Sequence, residues 1–206
     1  MSSVLEIYNM ALAHIGDRAN VSSLTEQTEQ AEVCRQFYPT ALGMALAAFP
    51  WNFATRRASL VQMAGITAPT PWSYSYAVPN DVQSVQAVLA ASSVSSWDKQ
   101  PYALEDLGSA RVLYAMTESA QLRYTAKVSD TGFFPPHFTM ALSCLLASMI
   151  AGPIVKGDAG IKLSLNLLQL YTTFLRQAQT LDANQGEREF QFLPDPMNTI
   201  LNRARA

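Results

Sequence analysis

The histidines and acidic residues are the side chains with the most obvious catalytic potential. Neither His14 nor His137 lies in a metal-ligand spacing such as H-E-x-x-H, and both fall at the predicted ends of helices. A partial positive charge on His14 suits the helix dipole, so we interpret it as a capping or surface residue. Glu105, Asp106 and Glu118 offer the carboxylates that a glycosidase needs, but such residues are common on turns. We therefore expect no catalytic residues, no metal and no cofactor.

The remaining motifs also favour structural roles. The sequence has no phosphate-binding loop, dinucleotide fingerprint or nucleophile elbow. No strand precedes the run 157–160, GDAG, which we interpret as a connection between helices. The single pair Arg56-Arg57 is typical of a cap or a salt bridge. The cysteines have neither disulfide nor metal spacing and are expected to be small buried hydrophobes, at Cys34 and Cys144. Four aromatics are predicted to pack in a β core or a subunit interface: Trp72, Tyr74, Tyr76 and Trp97.

Composition favours a single domain that assembles with others. The chain has 206 residues, of which 49% are hydrophobic and only 15% charged, against roughly 25% charged in an average soluble protein. The net charge is −2, so the chain lacks the excess of Lys and Arg residues on which non-specific nucleic-acid binding depends. So few charges suggest that other subunits cover part of the surface. No signal peptide is recognisable, so we expect synthesis and a reducing environment in the cytoplasm.

Two capping boxes mark the first helices. Ser3 and Glu6 predict the start of one helix, and Ser23 and Glu26 predict the start of a longer one. Pro39 predicts a kink or a break within the second helix. A third helix, over about 137–151, is expected to end at Gly152-Pro153, and a fourth spans roughly 160–184.

The composition changes after Arg57: residues 58–104 contain only three charges, Asp81, Asp98 and Lys99, and many Ser, Thr, Pro, Tyr and Val residues. Alternation over 121–128 predicts a strand with Leu122 and Tyr124 on one side, paired with a neighbouring strand through Val112 and Tyr114. We therefore predict a mainly α fold. A four-helix bundle from 1–57 and 131–185 would carry a small antiparallel β insertion at 58–130.

The stretch 138–155, which includes most of the third helix, is uncharged for 18 residues, the lower limit of a membrane-spanning length. Its Ser, Thr and Ala content, and the lack of flanking basic anchors, favour a buried core helix and no membrane.

The fourth helix has two apolar faces, and both must be covered. One face carries Ile161, Leu165, Leu168 and Leu175. The nearly opposite face carries Leu163, Leu167, Leu170, Phe174, Ala178 and Leu181. One face can meet the bundle, and the other needs the β insertion or a neighbouring subunit. We assign the subunit interface to Leu163, Leu167, Leu170 and Phe174, although periodicity leaves the choice of face open.

The order of segments resembles the head-to-tail adaptors of tailed bacteriophages, in particular the tail tubular protein A family. The similarity lies in FPWNFATRRASL, YSYAVPNDVQSVQAVL, LRYTAKVSD and FFPPHFTMALSCLLASMIAGPI, and in the opening ALAHIGDRANVSSLTEQTEQAEVCRQFYPTAL. It covers roughly residues 4–185. The resemblance implies a helical bundle with a β-rich insertion that forms a dodecameric ring beneath the portal protein. Such a ring extends the channel through which genomic DNA passes without sequence-specific binding, and offers a platform for the next tail or nozzle protein. It implies a location in the neck of the virion.

The segment 186–206 lies beyond this resemblance. Its prolines disfavour regular helix, yet it carries many apolar groups for a terminus. We predict an arm that docks on the portal. Its contact residues would be Phe190, Phe192, Leu193, Pro194, Met197, Ile200, Leu201, Arg203 and Arg205. The alternative is that this segment folds back on its own bundle.

Two other functions stay open at the level of the sequence. One is a peptidoglycan hydrolase that acts during genome entry with the acidic residues named above. The other is a cellular helical-bundle scaffold unrelated to phages.

Overall fold

The computed structural model describes residues 3–91, 99–108 and 110–185. Two helices come first, α1 (Val4–His14) and α2 (Glu29–Ala47). Eight strands follow: β1 (Thr55–Ser59), β2 (Val61–Gln62), β3 (Tyr74–Ala77), β4 (Val82–Ala90), β5 (Lys99–Gln100), β6 (Tyr102–Asp106), β7 (Arg111–Ala115) and β8 (Ala120–Ala126). The chain then returns to helix in α3 (Pro136–Val155) and α4 (Gly157–Ala183). Two helices thus precede the strands and two follow them, in the predicted order.

The prediction of a mainly α fold with a small β region is wrong. The strands form two antiparallel sheets of four strands each, ordered β1-β8-β4-β5 and β2-β3-β7-β6. With 47% helix and 22% strand, the protein is α+β. The alternating pattern predicted too few strands, because β2 and β5 have only two residues each and cannot show alternation. In addition, β4 is at least half-buried along its whole length, so no polar face marks it.

The predicted pairing between the strand at 112–114 and the strand at 121–128 is also wrong. β7 pairs with β3 and β6, whereas β8 pairs with β1 and β4. The turn between β7 and β8 therefore carries the chain from one sheet to the other. The Tyr76 hydroxyl of β3 fixes this turn because it donates to the carbonyl oxygens of Thr117 and Glu118.

The boundaries of α2 and α3 differ from the sequence pattern. α2 begins at Glu29 with Thr28 as its N-cap, because the Glu26 carboxylate accepts hydrogen bonds from Ser22 instead of starting a helix. α2 continues through Pro39 without a break, and α3 continues through Pro153 to Val155. Each proline removes one backbone hydrogen bond from its helix. The first capping box is confirmed, with Ser3 and Glu6 hydrogen-bonded in both directions.

α3 forms the centre of the helical layer and packs against the other three helices. Within the described residues it is the one helix long and apolar enough to cross a membrane, and 67% of that stretch is buried inside the protein. This burial agrees with the predicted core helix. An aromatic cluster joins α3 to the β region, since Trp51 and Phe53 contact Phe138 at ring-centroid distances of 5.0 and 4.9 Å. The Trp51 indole also donates to the Ala45 carbonyl at the end of α2.

Candidate functional site

The surface of α4 is the most unusual apolar feature of the described chain. Its buried side packs on α3 and includes Leu167, Tyr171 and Ala178. A second apolar stripe remains in solvent, with Ile161, Leu165 and Leu168 exposed by 60%, 59% and 43%. These three residues are spaced i, i+4 and i+7, so they form one row about two turns long near the start of α4. We refer to Ile161, Leu165 and Leu168 as the outer face of α4.

The structure distributes the four residues predicted at the subunit interface over the other side of this helix. Leu167 is buried, and Leu163 and Phe174 pack against the protein's own core. Leu170 remains 39% exposed at the edge of that side. The chain itself therefore covers most of the stripe to which the interface was assigned, and the outer face is the stripe left uncovered.

Close contact between α3 and α4 holds the outer face in place. Gly160 lies so near α3 that a Cβ atom there would be 3.0 Å from the Ala151 carbonyl oxygen. The Ser164 hydroxyl donates to the Ser148 carbonyl of α3 at 2.6 Å. Only Lys156 separates the two helices, in a left-handed conformation with φ 58°. The run 157–160 thus forms the first turn of α4 rather than a loop.

The last turn of α4 is anchored by a buried carboxylate. Asp182 is 1% exposed, and its Oδ2 accepts the Asn52 backbone N–H at 2.9 Å. The Asn52 side-chain amide donates to the Asp182 carbonyl at 2.6 Å. Burial raises the pKa of Asp182, while the Asn52 hydrogen bond and the nearby His137 oppose that shift. This junction fixes the end of α4 against the segment that leads into β1.

The nearest approach to a catalytic arrangement is a histidine between a serine and a cysteine. His14 Nε2 lies 3.2 Å from Ser143 Oγ and 3.5 Å from Cys144 Sγ. The Ser143 hydroxyl donates to the Met140 carbonyl, so His14 Nε2 must be the donor toward Ser143. A protonated Nε2 cannot accept the proton of the thiol. Burial raises the pKa of Cys144 to about 11, which keeps it a thiol near neutral pH.

His14 therefore differs from its prediction as a capping or surface residue, because its side chain ties α1 to α3. Sequence reasoning missed this contact, which joins residues 129 positions apart. Both cysteines are fully buried and free, as predicted.

The candidate acidic pair does not form. Glu105 and Asp106 are consecutive residues of the exposed edge strand β6, so their side chains point to opposite faces. Glu118 lies in the turn between β7 and β8. Among the described residues, no group of three or more His, Cys, Asp or Glu side chains is placed to hold a metal ion.

The basic pair and the aromatics have separate positions. Arg56 forms a salt bridge with Asp81 at 3.0 Å, one of the two roles predicted for the basic pair. Arg57 is exposed on the other face of β1. Tyr76 is buried in the core, and its ring lies 6.4 Å from that of Tyr74. Trp72 is half-buried in the loop before β3. Trp97 and all nine predicted portal-binding residues lie outside the described residues.

No protein-family profile matches this sequence, and a search of curated proteins finds no match.

Proposed function

We propose that this protein is a structural subunit of a ring, and that it acts as the head-to-tail adaptor of a bacteriophage virion. The ring would lie beneath the portal, extend the DNA channel and carry the next tail component. The outer face of α4 is the observation that supports this proposal most, because three large aliphatic side chains lie in one exposed row. The low charge of the chain and its resemblance to adaptor proteins are consistent with it.

The occupant we assign to the outer face is a neighbouring copy of this chain. In a closed ring, one surface of each subunit contacts a second surface of its neighbour. The outer face of every copy would therefore be covered in the same way. Complete burial of a leucine or isoleucine contributes roughly 1.5–3 kcal/mol. The outer face is about half exposed, so covering it would contribute roughly 3 kcal/mol per contact. That is enough to favour assembly once many contacts close a ring.

A matched pair of variants tests this assignment. Leu165→Glu places a charge on the outer face, and Leu167→Glu places the same charge two residues away on the buried side. We expect Leu165→Glu to keep its circular dichroism spectrum and to lose the ring, measured as molar mass by light scattering. We expect Leu167→Glu to lose folded structure, because it buries an unpaired charge.

Two outcomes would contradict the assignment. One is a Leu165→Glu protein that assembles like the wild type. The other is a Leu165→Glu protein that unfolds like Leu167→Glu, since this would make the outer face part of the core.

A further inference from the structure

A cleft between the end of α2 and the sheet of β1, β8, β4 and β5 concentrates positive charge. It has a volume of about 460 Å³. Phe49 forms one wall at the end of α2, and Ser84 lies on the β4 side. Lys99 and Arg123 provide its charges, and no acidic side chain of the described residues lines it.

Strand register brings a third cation beside these two. Arg57 of β1 lies directly opposite Arg123 of β8, which in turn lies opposite Ala87 of β4. Lys99 of β5 lies opposite Leu89, two residues along β4 from Ala87. Residues directly opposite each other in a sheet share a face, so all three cations project from the same side. Neighbouring strands are about 4.8 Å apart, which makes a row of three charges across roughly 14 Å.

None of these cations forms an ion pair within the described chain. The ion pairs found there, Arg56 with Asp81 and Lys156 with Glu29, involve none of the three. The Nε atom of Arg123 is buried and has no hydrogen-bond partner. A directly opposed pair of like charges destabilises a sheet, and a buried donor without a partner adds to that cost. A bound anion would relieve both.

The end of α2 does not supply enough negative charge. Its last turn, through Ala47 and Ala48, lines the cleft, and a helix C-terminus carries about half of a negative elementary charge. The two cations of the cleft exceed this fourfold. The floor is already fixed, because the Gln86 amide donates to the hydroxyls of Thr55 and Thr125.

We propose that this cleft binds a phosphate group between Arg123 and Lys99, and that Arg57 holds a second phosphate of the same ligand. The planar guanidinium of Arg123 presents paired N–H donors to the phosphate oxygens, and Lys99 adds a point charge. A free polyphosphate and the backbone of a nucleic acid present the same chemistry. The inference does not depend on the proposed function.

Two probes separate these sources: pyrophosphate, measured by calorimetry, and a fluorescein-labelled dodecathymidylate, measured by fluorescence anisotropy. We expect binding that weakens as salt increases. Arg123→Gln should raise the Kd about tenfold and Lys99→Gln about fivefold, since charge-assisted hydrogen bonds are lost. The control is Arg111→Gln, an equal charge change at the exposed first residue of β7 in the other sheet, and its Kd should stay within about twofold of the wild type.

Binding of pyrophosphate alone would support the site with a free phosphate compound as ligand. Binding of both probes, with the oligonucleotide weakened further by Arg57→Gln, would support it with a phosphodiester backbone. If Arg123→Gln does not fold, Arg123→Lys keeps the charge without the fork and should still raise the Kd several-fold. The proposal is overturned if neither probe binds, or if Arg111→Gln weakens binding as much as Arg123→Gln.

Discussion

Exchanging glycine for alanine at two positions tests the contact that holds α4 in place. In a helix interior, alanine is favoured over glycine by about 1 kcal/mol. At Gly152 of α3 an added Cβ meets nothing within 4 Å, so Gly152→Ala should stabilise the protein by about 0.5–1 kcal/mol. At Gly160 the same atom meets the Ala151 carbonyl oxygen at 3.0 Å. That oxygen belongs to a buried helical backbone, which cannot yield without moving α3.

Overpacking of this kind costs about 1–3 kcal/mol, which exceeds the gain in helix propensity. We expect Gly160→Ala to be destabilised by about 1 kcal/mol, which corresponds to a Tm lower by about 2–4 °C. Gly152→Ala should have a Tm about 2 °C higher than the wild type. Thermal and urea denaturation at one protein concentration measure both. A Gly160→Ala protein as stable as Gly152→Ala would refute the close approach of α3 and α4.

Other parts of the structure give three further predictions. Burial raises the pKa of Asp182 above its ordinary 3.8, because the folded protein favours the neutral carboxylic acid over the charged carboxylate. The folded state therefore loses stability as the pH rises through the raised pKa and Asp182 becomes charged. Asp182→Asn should therefore be at least as stable as the wild type at pH 7.5, with the difference shrinking toward pH 4; a clear loss at pH 7.5 would contradict this. Burial raises the pKa of Cys34 to about 12 and that of Cys144 to about 11, so a thiol reagent at pH 8 should label the native protein far more slowly than the denatured protein. The last prediction replaces three exposed acidic residues by their amides: Glu105, Asp106 and Glu118. Each change should alter the free energy of unfolding by less than about 0.5 kcal/mol and leave assembly unchanged. Urea denaturation and light scattering measure the two properties.

Local signals in the sequence predicted local structure well. The capping box at Ser3 and Glu6 and the alternation along β8 depend on residues only a few positions apart. The local sequence therefore determines both features. The four helices and their order follow from the same kind of signal. β2 and β5 are too short for periodicity to reveal, and their partners decide their conformation.

The choice between the two apolar faces of α4 could not come from periodicity. Leucines alone do not distinguish a core stripe from an exposed one. Tyr171 and Ala178 mark the buried side, and the glycine at position 160 allows that side to approach α3 closely. These are tertiary constraints that a helical repeat does not contain.

The charged cleft was equally hidden in the sequence. Arg57 and Arg123 are 66 positions apart and meet only through the register of β1 and β8. The sequence showed a single basic pair at Arg56 and Arg57, but strand geometry sends these two side chains to opposite faces. Arg56 forms a salt bridge with Asp81, whereas Arg57 lies opposite Arg123.

The most direct test of the central proposal is electron microscopy of the full-length protein in negative stain, alone and mixed with purified portal rings. We predict ring-shaped particles with a central hole and twelve-fold symmetry, stacked coaxially on the portal in the mixed sample. The Leu165→Glu variant, imaged in parallel, should show no rings alone and no added ring on the portal. Wild-type protein that remains monomeric in both samples, with portal rings that look unchanged, would contradict the adaptor function.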